Sequence, residues 1–472
     1  MNDDALRERL RGSELLLVPE YALGRDGPAR DLAVLVSGGE FREIDAAAAL
    51  VARHAHLPPV HLGRTLLMPG FVDAHHHLSQ SFGKALAFGE PSEIFRRVWV
   101  PLEGVLDDEL IYLASKLAAL EALRGGFTTV CDAGTRSEAG VASVARAAQD
   151  AGVRCVLGLI CNDGGVAPGD RAAILRRADE FLRRPEGSRL IQPSLAISIP
   201  EAASDEMLGA VAARCAEARA IFQIHVNEHL ASVERSLVER GLRPLEHLDR
   251  ARALGPQTLV AHSTLVTPWE LNLLRETDTA VSYNPVATQW KGNAAANAHL
   301  MAALGIRFGL GTDGTRSDGF RLMDAAEATQ RLAFGLQSGD FSCGGGWLWL
   351  DHATRGGADA AGLGRTTGEI APGKRADFLL VDLDVPELTP SWDLTWELVR
   401  LAGRDQITAV FVDGRLRLWR GWPVDWDGRA LLRDVERAAR DAVSRAPIQR
   451  IHPLSRDHRA FVRSRNWVRA DG

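Results

Sequence analysis

Three consecutive histidines close an apolar stretch of the chain, and their spacing could support metal chemistry. His75 and His77 follow the run PGFVDA at residues 69–74. Side chains on a β-strand repeat every two residues, so both imidazoles would leave the same face of one strand. Two neutral imidazoles side by side form half of a metal site. His76 would point the other way and pack or hydrogen-bond. The alternative is a histidine tract in a solvated loop, which the apolar residues before it disfavour.

Further candidates end apolar runs later in the chain. His225 lies in IHVNE at 224–228, His262 ends TLVAH at 258–262, and Asp313 lies in GLGTDG at 309–314. Taken singly, a histidine at a strand end is more often structural, and an aspartate before glycine usually marks a turn. Glu228 differs in parity from His225 along a regular strand. It must therefore lie past the strand end or after a kink.

The elements that must position these residues alternate between strand and helix. Leucines spaced three and four apart over 107–124 predict a helix, which Gly125-Gly126 ends. A capping signal for a second helix is formed by Thr267, Pro268 and Glu270. Strands alternating with helices predict parallel pairing, and eight such units predict an α/β fold, a (β/α)8 barrel of TIM type with its site at the strand C-termini. The predicted strands are 71–75, 127–131, 153–161, 190–198, 221–226, 258–262, 280–283 and 307–310.

Both ends of the chain are rich in strand signals. Asp413-Gly414 between two β-rich runs predicts a hairpin with a type I′ turn. We expect the two ends to pair in one small β-sandwich domain that the barrel splits in sequence. An Arg-rich amphipathic helix over 428–447 and a polar, basic tail follow, and we interpret the tail as a solvated or subunit-contacting arm. The expected boundaries are 1–67 and 367–427 for the sandwich, 68–366 for the barrel, and 428–472 for the helix and tail.

The amino-acid composition of the chain disfavours several classes of protein. The 472 residues are 46% hydrophobic and 25% charged with net charge −6, an ordinary globular balance that gives no reason to expect nucleic acid. The five cysteines are scattered and form no Cys-x-x-Cys pair, which disfavours a disulfide framework or a thiolate zinc site. The N-terminus has no apolar signal core, and no stretch approaches the ~20 apolar residues of a membrane span. We therefore expect a cytoplasmic protein with no membrane partner.

Several motifs in order over roughly residues 60–415 resemble the metal-dependent amidohydrolase superfamily. Within it they are most similar to the branch of adenosylhomocysteine and methylthioadenosine deaminases and atrazine chlorohydrolase. The match is specific for the superfamily and its metal site, but it says little about the substrate, because this branch has changed substrate often. The motifs are PGFVDAHHH (69–77), GFTTV (126–130), HVNE (225–228), GLRP (241–244), AH (261–262), NP (284–285), GTDG (311–314) and GEIAPGKRAD (368–377).

The resemblance implies that His75, His77, His225 and Asp313 bind one divalent metal. Three imidazoles and one carboxylate suit Zn²⁺ best, and Fe²⁺ or Mn²⁺ also tolerate them. Binuclear relatives bridge two metals with a carbamylated lysine on the fourth strand. Residues 189–200 contain no lysine, so a single metal is expected.

The resemblance also implies three catalytic roles. Asp313 would accept a proton from a water that the metal activates, and Glu228 would protonate the ring nitrogen next to the attacked carbon. His262 would polarise or orient the water and the developing oxygen. These roles predict attack of hydroxide on a heterocycle and loss of ammonia.

The chain departs from the nucleoside deaminases in places that bear on the substrate. ISIP (197–200) replaces their Pro-His pair after strand 4, ATQWK (287–291) replaces Ser-Asn-x-Lys-Leu, and RSDG (316–319) replaces the Ser-Asn-Asn after the metal aspartate. These changes argue against an adenosine-type substrate. Gln80 could pair with an amide-like edge of the substrate ring, and Trp99 or Trp290 could stack on that ring, although each of these three could equally be structural. The candidate substrate contacts are Gln80, Trp99, Ser198 and Trp290.

We therefore expect a hydrolase of C–N bonds other than peptide bonds. Its substrate would be a small aminated N-heterocycle, namely a purine, pyrimidine, pterin or triazine, and the product would include ammonia. The same site could instead expel chloride or an alkylamine, or open a cyclic amide. A binding protein without activity is a third class, which the intact ligand set disfavours. Family members usually associate, so a homodimer or higher homo-oligomer is expected.

Overall fold

The middle of the chain forms a barrel whose strands pair in chain order. The computed structural model describes residues 3–90, 94–137, 140–164, 169–183, 189–339, 345–452, 457 and 459. Each strand of the eight-stranded sheet pairs in parallel with the next. The first and last strands meet at the site end, where Asp313 N–H donates to the His75 carbonyl over 2.8 Å. The strands are Phe71–His76, Phe127–Asp132, Arg154–Ile160, Ile191–Ile197, Phe222–Val226, Thr258–His262, Ala280–Tyr283 and Phe308–Leu310.

Helices follow the barrel strands, and side chains cap the starts of several of them. Thr267 Oγ1 accepts from Glu270 N–H, and the Glu270 carboxylate accepts from Thr267 N–H, which confirms the predicted capping box. Asp107 caps the helix Asp108–Arg124 through Leu110 N–H. The α-helices of this part of the chain also include Val100–Glu103, Ala142–Ala151, Arg171–Leu182, Asp205–Ala218, Leu230–Arg240, Pro244–Arg250, Pro268–Glu276, Pro285–Lys291, Ala298–Ala303, Gly319–Gln330, Leu336–Ser338, Gly345–Ala353 and Arg355–Ala360.

The two chain ends form a sandwich of two sheets. The C-terminal strand Phe378–Asp382 pairs antiparallel with the N-terminal strand Thr65–Pro69, and one apolar cluster includes Val34 from one sheet and Phe411 from the other. Asp413 and Gly414 have φ of 56° and 71°, as a type I′ turn requires. The α/β barrel with a split sandwich is therefore confirmed. One sheet contains Glu14–Val18, Leu32–Ser37, Glu40–Ala46 and Val60–His61; the other adds Tyr21–Gly24, Gly27–Ala29, Ile407–Val412, Arg415–Trp419 and Trp422–Pro423.

A buried ion pair joins the barrel to the sandwich. Arg154 begins the third barrel strand, and its Nε and Nη2 donate to the two oxygens of Asp377 over 2.7 and 3.0 Å. Arg154 is 5% exposed and Asp377 is fully buried. Asp377 also accepts from Asp413 N–H in the hairpin turn. The two units are thus held together at their boundary by a bidentate charged contact.

The C-terminal helix Gly428–Arg445 packs against the barrel helix Asp108–Arg124. The described chain continues to residue 452, so most of the predicted basic tail lies outside the described residues. In the part of the chain that is described, no helix combines the length and apolar character needed to cross a membrane. Four cysteines are free and buried, and Cys343 falls outside the described segments.

Candidate metal and catalytic centre

Four side chains from three parts of the barrel converge at the C-terminal ends of its strands. Their candidate ligand atoms all lie within 4.8 Å of one another. His77 Nε2 lies 3.2 Å from His225 Nε2. Asp313 Oδ1 lies 3.4 Å from His75 Nε2 and 3.2 Å from His77 Nε2. Such spacing lets one ion contact all four atoms at ordinary ligand distances of about 2 Å.

The donors in this cluster fit a divalent cation. His75 Nε2 is buried and has no hydrogen-bond partner among the described residues. His225 Nδ1 lies 2.7 Å from the Ser198 carbonyl, so Nδ1 carries the proton and Nε2 turns its lone pair into the cluster. Burial, and then the neighbouring imidazoles, lowers the pKa of His225 well below its ordinary value. A neutral imidazole is the form that binds metal, and three imidazoles with one carboxylate make a suitable donor set.

A carboxylate beneath the cluster fixes the first and eighth strands to each other. Asp73 accepts from Thr312 N–H over 2.9 Å, from the Thr312 hydroxyl over 2.5 Å and from His75 N–H over 3.2 Å. Burial raises the pKa of Asp73 to about 7. Glycine is required at position 311 beside this contact, because a Cβ there would overlap the side chains of Asn284 and Ser282. His76, as predicted, points away and hydrogen-bonds Ser317 Oγ at 3.3 Å.

Glu228 reaches the centre because the fifth strand ends before it. The strand stops at Val226, and Asn227 adopts φ of 52°, which confirms the kink that parity predicted. Asn227 holds this conformation by donating to Glu270 Oε1 over 2.8 Å. Glu228 then directs Oε2 toward His262, whose Nε2 is 3.7 Å away. The two side chains come from adjacent strands and face the same space.

His262 is fixed by its other ring nitrogen. Its φ of 76° is unusual for a non-glycine residue. Asn284 Nδ2 donates to His262 Nδ1 over 3.2 Å, and Asn284 Oδ1 accepts from Ser282 Oγ over 2.8 Å. This assignment leaves the proton on Nε2, which is buried without a hydrogen-bond partner among the described residues. Together with Glu228 and Asp313, His262 forms a second group of ligand-type atoms within 4.8 Å.

Lys291 is a member of the centre that the sequence analysis missed. Its Nζ donates to Glu228 Oε1 and to Asp313 Oδ2, each over 2.7 Å. Coulombic attraction from these carboxylates overcomes burial and raises the Lys291 pKa. The sequence analysis instead selected its neighbour Trp290, which packs edge-on against Phe88 at 4.5 Å and is not among the residues that line the cleft. The sequence did contain a signal for Lys291, because the chain has few lysines and this one follows the end of a barrel strand.

A cleft opens above the candidate metal cluster and encloses about 850 Å³, including space open to solvent. Three of the four predicted substrate contacts, Gln80, Trp99 and Ser198, line it. The Ser198 hydroxyl already accepts from Asn162 Nδ2 over 3.0 Å. The π-helical turn Phe95–Trp99 forms one wall, and such turns are frequent at functional sites.

A charged pair on the same wall was not expected from the sequence. Arg136 lines the cleft, and its Nη1 donates to Glu103 Oε2 over 2.9 Å. Glu103 is fully buried and also accepts from Ser79 Oγ over 2.9 Å. The Arg136 guanidinium lies 4.7 Å from the centre of the Phe95 ring. The Arg136 cation is thus held in place by the Glu103 carboxylate and by the Phe95 ring.

The C-terminal segment reaches the loop that leads into this wall. Glu90, whose side chain is fully buried, accepts from Arg97 Nη1, Arg450 Nε and the backbone N–H groups of Ile451 and His452, over 2.7 to 3.1 Å. Burial raises the Glu90 pKa, but these hydrogen bonds outweigh it and leave the pKa below its ordinary value. This described part of the predicted tail therefore contacts the barrel while Ile451 and His452 remain exposed to solvent.

Residues 66–417 match the model of the Amidohydrolase family. The chain is 29% identical over 418 residues to a 5-methylthioadenosine/S-adenosylhomocysteine deaminase of Syntrophobacter fumaroxidans, which covers 86% of this chain and 92% of that protein. It is 30% identical to a 5′-deoxyadenosine deaminase of Methanothermobacter thermautotrophicus, over 75% of this chain and 82% of the relative.

Solved structures share the fold. An adenosine deaminase of Xanthomonas campestris with bound zinc superimposes with a TM-score of 0.84 and 24% identity, over 91% of this chain and 99% of its own. A zinc-bound atrazine chlorohydrolase of Arthrobacter aurescens gives a TM-score of 0.78 and 18% identity, over 90% of this chain and 100% of its own. The family match spans the barrel, the four-donor cluster and the strands that join the barrel to the sandwich. The chain belongs to the amidohydrolase family.

Proposed function

We propose that the protein is a zinc-dependent hydrolytic deaminase of a small aminated N-heterocycle. The observation that carries this proposal is the grouping of Glu228, His262 and Asp313 beside a four-donor cluster at the base of one cleft. A proton donor, an oxygen-stabilising donor and a metal site side by side suit hydrolytic removal of an amino group. The relatives named as deaminases of adenosine derivatives support the same reaction class.

The metal would be held by His75, His77, His225 and Asp313. When bound, a Zn²⁺ ion supplies Lewis-acid activation of water at neutral pH. A single ion is favoured because the fourth barrel strand, Ile191–Ile197, has no lysine. The second oxygen of Asp313 is already bonded to the Lys291 ammonium, which leaves it poorly suited to a second cation.

The protein's own groups would divide the proton transfers. Asp313, whose Oδ1 faces the cluster, would take a proton from the attacking water and pass it to the amino group, which leaves as ammonia. Glu228 Oε2, which faces His262, would relay the other proton of the water to the ring nitrogen beside the attacked carbon. His262 Nε2–H would donate to the oxygen that develops charge during attack. Asn284 keeps that N–H on the correct nitrogen.

The cleft walls would bind the flat part of the substrate. Gln80 and Trp99 are the proposed polar and stacking contacts, because both line the cleft near the cluster. Ser198 would act mainly through its carbonyl, which orients His225. Trp290 has no such support, since its ring packs on Phe88.

The test is ammonia release by the zinc-loaded protein from a panel of aminated purines, pyrimidines, pterins and triazines. We expect turnover of at least one, loss of turnover after chelation, and recovery when Zn²⁺ is restored. Chloride and alkylamine release are measured on matched triazines in the same experiment. If chloride or alkylamine is released and no heterocycle of the panel releases ammonia, the alternative hydrolase replaces the deaminase. If no leaving group is released from any compound, both proposals are overturned.

A further inference from the structure

An arginine outside the candidate metal and catalytic groups is connected to Glu228 by a short series of hydrogen bonds. Arg243 lies in the motif GLRP at residues 241–244, and none of the proposed proton transfers uses this motif. We propose that Arg243 is a positioning residue for Glu228. It acts through the buried carboxylate of Glu270, which holds Asn227 in the conformation that turns Glu228 into the cleft. The inference rests on the proton-transfer role proposed for Glu228 and deepens it.

Two helices bring Arg243 back to the end of the fifth barrel strand. The first helix, Leu230–Arg240, ends at Gly241, which has φ of 66°, and the second begins at Pro244. Arg243 is the residue directly before the second helix, and its N–H donates to the Glu246 carboxylate over 3.0 Å. The backbone of Arg243 is therefore fixed by the ends of both helices.

Arg243 and Asn227 share the same two acceptors. Arg243 Nε donates to Glu270 Oε2 and Asn227 Nδ2 donates to Glu270 Oε1, each over 2.8 Å. The second acceptor is the Leu265 carbonyl, which accepts from Arg243 Nη2 and, over 3.0 Å, from Asn227 Nδ2. The Glu270 side chain is fully buried, and Arg243 is the one cation that the described residues place in ion-pair contact with it. Arg243 thus supplies the positive charge that a buried carboxylate needs, and this carboxylate in turn binds Asn227.

Asn227 needs this support because its backbone conformation is uncommon. Its φ is 52°, and a non-glycine residue keeps such a value only where its surroundings fix it. The amide NH2 group donates to Glu270 and to Leu265, while Oδ1 is buried without a partner in the described chain. The side chain is therefore held through its NH2 group. Because Glu228 follows directly, a change in the backbone of Asn227 would move the Glu228 carboxylate away from His262.

The first measurement is the effect of Arg243→Met on the zinc-loaded enzyme. The Asn227 carbonyl keeps its own bonds from Thr264 Oγ1 and Leu265 N–H, so Glu228 should shift rather than come free. Because a misplacement of about 1 Å can cost about 10²-fold in rate, we expect kcat to fall by about 10- to 100-fold. KM should change little, since Arg243 is not among the residues that line the cleft. Zinc content should equal that of wild type, because Arg243 is outside both groups of ligand-type atoms.

A double-mutant cycle separates positioning from general destabilisation. If Arg243 acts through Glu228, Arg243→Met should change kcat by no more than about twofold in the Glu228→Gln background, because the group that it positions is already lost. A residue that supports the barrel in general would lower kcat by the same factor in both backgrounds. Arg243→Lys keeps a charge beside Glu270 but loses the planar fork that also reaches Leu265, so it should restore part of kcat.

Arg331→Met is the matched control. Arg331 Nε donates over 2.8 Å to Glu327, whose side chain is also fully buried, and neither residue lines the cleft. This variant should leave kcat unchanged in both backgrounds. Should Arg243→Met fail to fold, Arg243→Lys and Asn227→Gly take its place in the cycle. Glycine accepts positive φ without strain but lacks the amide that binds Glu270, so a loss of kcat that disappears in the Glu228→Gln background is again expected.

Two results would overturn the inference: a kcat of Arg243→Met equal to that of wild type, or a loss of the same size in both Glu228 backgrounds. If no heterocycle releases ammonia, the proposed deaminase function fails by itself. Crystal structures of zinc-loaded wild type and Arg243→Met then decide the role of Arg243. A Glu228 carboxylate displaced from its place 3.7 Å from His262 Nε2 supports the inference, and an unmoved carboxylate refutes it.

Discussion

Glu228→Gln isolates proton transfer from metal binding. The amide keeps the shape of the side chain, and its oxygen can still accept from Lys291 and Asn293 at the position of Oε1. Its nitrogen would replace Oε2, 3.7 Å from His262 Nε2, and cannot deliver a proton to a ring nitrogen as a carboxylic acid does. The four candidate metal donors do not include Glu228, so they keep their arrangement.

The expected loss follows from the single function removed. General acid–base catalysis contributes roughly 10²–10⁴-fold, which corresponds to about 3–5 kcal/mol of activation free energy. We expect kcat to fall by that factor for whichever heterocycle the panel identifies, while KM changes little. Zinc content, measured by mass spectrometry of the purified protein, should match wild type.

The matched control is Glu201→Gln, a second carboxylate that lines the cleft. Glu201 lies 3.9 Å from Arg235 and is outside both groups of ligand-type atoms. It should keep activity within about threefold, because a weak ion pair at a cleft rim contributes little. A Glu228→Gln enzyme that also stays within threefold, with full zinc, would remove Glu228 from the mechanism. Loss of zinc in that variant would show that Glu228 is part of the metal site.

Three further outcomes follow from the structure. Removal of metal by a chelator should lower the melting temperature, because ions that bind only the folded state stabilise it. Calorimetry with and without Zn²⁺ measures this change. An unchanged melting temperature would contradict a high-affinity site. Arg154→Met leaves the buried Asp377 carboxylate without its charged partner. The free energy of unfolding, measured by urea titration, should fall by about 3–5 kcal/mol. A loss under about 1 kcal/mol would contradict a buried pair. Glu90→Gln weakens the charged contact to Arg450. The variant should be cleaved faster by trypsin after Arg450 and should show a higher KM. Cleavage at the wild-type rate would show that other contacts hold the C-terminal segment.

Much of the candidate site could be predicted because its residues lie in short local patterns. The two-residue spacing of His75 and His77 needs only an extended strand, and the break after His225 was implied by the parity of Glu228. The barrel followed from alternating strand and helix signals, and its rim then placed the later histidine and aspartate near the first pair. In the structure, Asp313 Oδ1 lies within 3.4 Å of His75 and His77.

The cleft walls could not be predicted in the same way, because no local pattern specifies which loop side chains meet. Trp290 was a reasonable stacking candidate by residue type, yet its ring faces Phe88, and the next residue reaches the carboxylates instead. A one-residue step along the short helix Pro285–Lys291 turns a side chain by about 100°. Residue type alone cannot say which of two neighbours faces the cleft.

The amino-acid sequence by itself determined the barrel and the split sandwich, because both depend on periodicity and spacing, and it gave the candidate donor set through strand-end residues and the family resemblance of their motifs. Only the tertiary structure decided the charge environment of those donors. Lys291 meets Glu228 across 63 residues of chain, and Arg136 meets Glu103 across 33. Such contacts depend on the paths of separate loops and short helices over the same barrel rim. Packing of the whole domain sets those paths, and no short stretch of sequence encodes them.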